Sequence, residues 1–154
     1  MSENYSEILY NVLEESLESL AFMFAESIDT SDIAMTDTEC IKVTMEFTGD
    51  LYNGSLMMIV PSNISSEIAA NILGIEDTSD DATDLGDDSL KEVLNVICGR
   101  VLTEISGTEP LFDLSIPEIE KISCTGLENY ISEQNTCSAI IDDMYPIILQ
   151  FKKY

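Results

Sequence analysis

The stretch DSLKEVLNVICG, residues 88–99, decides the fold because it opens the clearest helical pattern of the chain. Plotted at about 100° per residue, five apolar side chains between residues 90 and 105 fall within one narrow sector. Gly107 closes the pattern. We therefore predict a helix over residues 88–106 whose apolar stripe faces a core; the stripe consists of Leu90, Leu94, Ile97, Val101 and Ile105.

The opposite sector of the same helix carries the candidate functional residues Asp88, Glu92, Asn95 and Gly99. Glu92 and Asn95 are three positions apart, so they lie side by side on the helix and can touch one ligand together. Gly99 inside a helix costs about 1 kcal/mol relative to alanine, but it leaves the backbone open to the close approach of another surface. A solvated polar face is the alternative interpretation of this stripe.

A carboxylate beside an amide, in a chain without histidine, is poorly suited to acyl transfer or general-base catalysis. The pair suits another task better. It can orient a water molecule for attack on a phosphoryl group that is activated elsewhere.

Patterns on both sides of this helix predict an α+β fold, in which an antiparallel sheet packs with long helices. Alternating apolar residues and turn signals indicate one hairpin over residues 40–60 and a second over residues 136–152. Helical spacing predicts a first helix over residues 4–25, with Leu9, Leu13, Leu17, Leu20 and Phe24 on its apolar side. Another helix should run from residue 62 or 63 to Gly74, and residues 111–117 should be extended or loop-like.

The composition indicates one globular domain over residues 1–154 with an extreme negative charge. Thirty Asp and Glu residues oppose six Lys and Arg residues, which gives a net charge of −24. Such a surface repels nucleic acid and anionic membranes, and it attracts a partner with basic residues around its binding site. Solubility alone is the other explanation of this charge.

We expect no metal site of the protein's own. The four cysteines have no C-x-x-C spacing, so we expect reduced, structural thiols, and the acidic linker over residues 76–88 lacks the EF-hand spacing. The first residues have neither a basic nor an apolar signal region, and no apolar run is long enough to span a membrane. These features predict a cytoplasmic location.

Residues 88–99 resemble the D/S-x-x-x-E-x-x-N signature of the CheC, CheX and FliY phosphatases, including the glycine that often follows it. Two further stretches support the resemblance. Residues 48–74 are similar to the hairpin and helix that precede the signature in that family, and Ser115-Ile116-Pro117 resembles the Ser-x-Pro element after it. The resemblance covers most of the chain from about residue 40 onward.

The resemblance implies a phosphatase that acts on a phosphorylated CheY-like receiver domain in chemotaxis signalling. It implies that Asn95 orients the attacking water, that Glu92 pairs with a lysine of the receiver, and that Asp88 and Gly99 lie on the docking surface. Magnesium would belong to the receiver, and the phosphatase itself would need no cofactor. A non-catalytic CheC-like module that binds a signalling partner is the alternative, and an acidic interaction protein of unrelated fold is a third interpretation.

The family resemblance also implies an internal pseudo-two-fold repeat. When the helix over residues 88–106 is superposed on the first helix, the apolar stripes coincide and Glu15 takes the place of Glu92. Glu18 then takes the place of Asn95, and Phe22 takes the place of Gly99. We therefore expect one site per chain, which is the CheX pattern, and a homodimer joined through a continuous sheet. Whether Phe22 is a contact residue or part of the core stays open at this point.

Overall fold

The predicted α+β fold is confirmed by a computed structural model, which describes residues 4–29, 39–76, 80–125 and 134–154. The helices are α1 (Ser6–Ala21), α2 (Ile64–Leu73), α3 (Asp80–Asp84) and α4 (Gly86–Ser106). The strands are β1 (Ala25–Ile28), β2 (Glu39–Gly49), β3 (Asn53–Pro61), β4 (Phe112–Leu114), β5 (Glu118–Ser123), β6 (Thr136–Ile141) and β7 (Tyr145–Lys153).

The order of the strands reveals the predicted repeat. The antiparallel sheet runs β1-β6-β7-β3-β2-β4, and β5 also pairs with β2. If α1-β1-β2-β3 is matched with α4-β5-β6-β7, the two edges β1 and β5 correspond. The inner strands β6 and β2 then correspond, and so do the central strands β7 and β3. The hairpin of each half pairs with the first strand of the other half, so neither half can form the sheet alone.

Helices α1 and α4 cover one face of this sheet, and α2 packs against both of them. Alternate residues of the central strands, such as Val43 and Met58, enter one core with the apolar stripes of α1 and α4. Leu90, Leu94, Ile97 and Val101 are buried as predicted, and Ile105 is half-buried. Each fully buried side chain of this size contributes about 1.5–3 kcal/mol, so the apolar stripe determines which face of α4 is left for solvent.

Helix α1 is shorter than the predicted span of residues 4–25. It ends at Ala21 because Phe22 adopts a left-handed conformation with φ 53°, and the Met23 N–H donates to the carbonyl of Leu17 at 3.2 Å. Met23 then enters the core. Phe24, placed on the apolar stripe by its spacing, is instead 61% exposed, so that part of the prediction is wrong.

The acidic linker is more ordered than its composition suggested. Residues 80–84 form the short helix α3, and α4 begins at Gly86 instead of Asp88; residues 77–79 lie outside the described residues. A Cβ atom at Gly86 would lie 2.9 Å from the Ser65 Oγ. The glycine therefore allows the first turn of α4 to pack closely against α2.

The expectation of four reduced thiols is wrong for one pair. Cys40 and Cys124 form a disulfide, with their Cα atoms 5.4 Å apart. Their separation of 84 residues gave no local signal, but the pairing of β5 with β2 places Ile122 opposite Cys40 and brings the two thiols together. Cys98 and Cys137 are free and buried. Burial raises the pKa of both thiols to about 12, so they stay protonated at neutral pH.

None of the helices in the described ranges is long and apolar enough to cross a membrane.

Candidate functional site

The polar stripe of α4 faces outward along its whole length. Asp88, Glu92 and Asn95 are exposed, and Gly99 is half-buried. Glu92 and Asn95 make no side-chain hydrogen bond or ion pair with the part of the chain that the structure describes. Their polar atoms are therefore available to a ligand or a partner.

Glu92 and Asn95 occupy one turn of α4, whose opposite side is packed into the core. Three residues correspond to a rise of about 4.5 Å, and both side chains project from the same side of α4. Leu94, between them, is completely buried and holds this turn against the sheet. The pair can therefore accept a hydrogen bond or a cation through Glu92 and orient a small polar molecule through the amide of Asn95.

The residues around the pair include no activated nucleophile. Cys98 is only 1% exposed, and burial raises its pKa to about 12. Ser89 is also buried. The arrangement therefore suits the orientation of a reactant better than covalent catalysis.

Arg100 connects α4 to α1, in the first half of the repeat. This residue was not identified from the sequence. Its Nη1 donates to the Ser16 Oγ at 3.1 Å, and Ser16 is completely buried in α1. A second, longer contact reaches the Ser19 Oγ at 3.5 Å. The only available signal was the position of Arg100 at the border between the two stripes of α4. This contact helps to set how α4 lies beside α1.

The matching face of α1 differs in the way the sequence predicts. Glu15 and Glu18 are exposed, so a carboxylate occupies the place that Asn95 takes on α4. Phe22 is 70% exposed, which excludes a role in the core. Phe22 also lies just beyond the end of α1 in its left-handed conformation, where a glycine would be more favourable. The first half of the repeat thus presents neither the amide nor the glycine.

Metal ligands do not gather anywhere in the residues that the structure describes. No group of three or more Cys, Asp or Glu side chains there lies close enough together to hold a metal ion. The acidic residues of the described ranges are therefore dispersed, in keeping with a general negative surface.

Several chemotaxis proteins of known structure have the same fold as this chain. CheX from Desulfovibrio desulfuricans has a TM-score of 0.67 and 14% identity, with 97% of this chain and 98% of that chain covered. CheX from Vibrio vulnificus gives 0.66 and 14%, with 97% of each chain covered. A CheX-CheY-BeF3-Mg complex from Borrelia burgdorferi gives 0.64 and 15%, with 97% of each chain covered. No curated protein matches the sequence.

A CheC-like protein from a Shewanella species also has this α+β fold, with a TM-score of 0.56 and 16% identity over 98% of this chain and 99% of that chain. The model of the family described as "Chemotaxis phosphatase CheX" matches residues 41–139 of the sequence, from β2 through α4 into β6. The chain belongs to this chemotaxis phosphatase family. The matched region contains the whole polar stripe of α4, whereas α1 and β7 lie outside it.

Proposed function

We propose that the protein hydrolyses the aspartyl phosphate of a CheY-like response regulator in chemotaxis signalling. The observation that carries this proposal is the exposed Glu92–Asn95 pair on α4, which has no partner in the described part of this CheX-family chain. The Borrelia burgdorferi complex supports it, because that CheX protein is bound to CheY in the presence of BeF3 and Mg.

Asn95 would act by orienting the attacking water in line with the phosphorus atom. An aspartyl phosphate is a reactive mixed anhydride, so alignment and electrostatics are sufficient and no nucleophile of the phosphatase is needed. Glu92 would pair with a lysine of the receiver and thereby fix the register of docking. Asp88 and Gly99 would extend the contact along α4. Magnesium, held by the receiver, would neutralise phosphoryl oxygens; this chain would need no cofactor of its own.

The charge of the protein suits such a partner. A net charge of −24 attracts basic surfaces over a distance of about one Debye length, roughly 8–10 Å at physiological salt. Association with a receiver whose active-site lysine must be reached would therefore be accelerated at low salt. Long-range attraction of this kind raises the association rate, whereas the specific pairing with Glu92 fixes the orientation of the bound receiver.

We also propose that the chain is one domain that acts in the cytoplasm as a homodimer. The strands β1 and β5 lie at the two sides of the sheet, and each pairs with a single strand within the described residues. A free edge of this kind can be extended by a second copy into a continuous sheet. Sedimentation at increasing protein concentration tests the proposed association.

Phosphate release is the measurement that tests the phosphatase activity. We expect the purified protein to accelerate phosphate release from at least one phosphorylated receiver of the same organism, when each receiver is offered separately with Mg2+. Binding to a receiver without faster release would instead indicate the non-catalytic module. The absence of both binding and release across all receivers would contradict the proposal.

Gly99 allows a test in which stability and docking change in opposite directions. A Cβ atom built at Gly99 meets nothing within 4 Å, so the fold itself does not require a glycine there. We expect Gly99→Ala to stabilise the protein by about 1 kcal/mol in urea unfolding, because alanine is the better helix former. The same variant should bind the receiver more weakly, since the new methyl group occupies the docking surface. Unchanged affinity would remove Gly99 from that surface.

A further inference from the structure

An uncharged, mostly apolar groove lies directly beside the polar stripe of α4, at its Gly99 end. The groove has a volume of about 220 Å³, and its wall includes Gly99, Leu102, Thr103, Leu111, Phe112 and Leu114. None of the described residues that line it is charged, although the chain contains 30 acidic residues. The groove is therefore chemically distinct from the acidic surface around it.

Gly99 and Thr103 connect this groove to the candidate site. Both residues lie on the side of α4 that carries Glu92, and both also line the groove. The Thr103 hydroxyl donates to the Gly99 carbonyl at 3.0 Å, which leaves this part of the wall without a free hydroxyl donor. A surface that docks on the polar stripe and extends over Gly99 and Thr103 therefore touches one wall of the groove.

The wall of the groove opposite α4 is fixed by strand pairing and ring packing, and one of its apolar side chains is exposed to solvent. Phe112 pairs with Gly49 of β2, and its ring packs against Phe47 with ring centroids 5.8 Å apart. Leu111, the residue before Phe112, is 80% exposed and contributes little to the core. An exposed leucine on a rigid wall beside an apolar groove is typical of a protein-binding surface.

We propose that this groove binds an apolar side chain of the receiver, so that docking combines the Glu92 contact with an apolar anchor. The proposal rests on the proposed function. Glu92 and Gly99 are seven residues apart, which corresponds to about 10 Å along the helix. The receiver should therefore carry an exposed apolar residue about 10 Å from the lysine that Glu92 contacts. Receivers without such a residue would be poor substrates, which makes the groove a determinant of specificity.

Electrostatics favour the receiver over a second copy of this chain as the occupant. On the other side of Gly99, a second groove is lined by Glu15, Arg100 and Glu104. Two of these three residues are acidic, and a symmetric contact between two copies at this surface would set these like charges against each other. A receiver that presents a lysine to Glu92 meets this surface with the opposite charge.

The test compares Leu111→Asp with Met144→Asp. Both replace an exposed apolar side chain by an acid, since Met144 is 67% exposed in the turn between β6 and β7, outside the groove. Affinity is measured with the receiver carrying Mg2+ and beryllium fluoride, and turnover is measured with the phosphorylated receiver. We expect Leu111→Asp to raise the Kd and the KM about tenfold to hundredfold with kcat unchanged, because an apolar contact is lost on docking. Met144→Asp should change these values less than twofold, and Leu111→Met should retain them.

Three results would overturn the inference. The first is an equal effect of the two acid variants, which would assign the loss to added charge. The second is a change in oligomeric mass caused by Leu111→Asp alone, which would make the groove an interface between copies of this chain. The third is tight receiver binding by Leu111→Asp while Asn95→Ala still slows turnover about a hundredfold, which would leave the proposed function intact without the groove. If no receiver binds the unaltered protein, the groove proposal and the proposed function fall together.

Discussion

Replacing Asn95 by alanine is expected to slow dephosphorylation of the receiver by about a hundredfold, which is typical of losing one preoriented polar group from a site. Asn95 is exposed and makes no contact that the fold needs, and alanine is the better helix former. The variant should therefore be at least as stable as the unaltered protein, and it should bind the receiver equally well. The loss should appear in kcat and leave the Kd for the receiver unchanged.

The control for this prediction is Asn11→Ala. Asn11 is also an exposed asparagine on a long helix, but it belongs to α1, in the half of the repeat that lacks the amide–glycine pattern. We expect its replacement to leave phosphate release within twofold of the original rate. Single-turnover phosphate release with saturating phosphatase measures both variants. An Asn95→Ala protein with full turnover would contradict the water-orienting role.

Reversing the charge of Glu92 is expected to have the second largest effect, this time on association. In Glu92→Lys, a cation replaces the carboxylate that meets the receiver lysine, so a favourable pair becomes a repulsive one. We expect the Kd for the receiver to rise by about 30-fold or more, in the range measured for the loss of charged partners at interfaces. Titration calorimetry or fluorescence binding at low and physiological salt measures this change.

Asp80→Lys separates the specific pairing from the general charge. Asp80 is an exposed acid in the short helix α3, away from the polar stripe of α4, and its replacement changes the net charge by the same two units. General steering predicts a modest loss of association rate for both variants, which salt should suppress. Only Glu92→Lys should keep a large loss at high salt. Equal weakening at every salt concentration would show that Glu92 has no pairing role.

The duplicated halves explain why one chain would carry a single site. In the sheet the two halves are equivalent, and in the helices they diverge at the positions that matter for chemistry. Glu18 would place a negative charge where the phosphoryl oxygens come to lie, and like charges repel at this distance. At the sequence position that matches Gly99, the first half has the exposed Phe22, which lies beyond the end of α1, so this half has no bare helical backbone for a partner to approach. The second half is therefore the one equipped for the proposed reaction.

Local sequence patterns are sufficient to predict the secondary structure around the site and which side of α4 is exposed. Both properties follow from side-chain periods within about 20 residues, and a buried stripe such as Leu90, Leu94 and Ile97 leaves only one orientation for the opposite face. The two hairpins were predictable for the same local reason. The strands β1 and β5 escaped prediction. They are four and six residues long and largely exposed, so their sequences contain little apolar alternation.

The features that join distant segments could be seen only in the tertiary structure. The Cys40–Cys124 disulfide, the Arg100–Ser16 hydrogen bond and the groove between α4 and Leu111 each depend on residues that no periodicity relates. The end of α1 belongs to the same group, because the left-handed Phe22 turns Met23 into the core in place of Phe24. In each case the packing of one segment against another, chosen to bury apolar surface and satisfy polar atoms, overrides the local pattern.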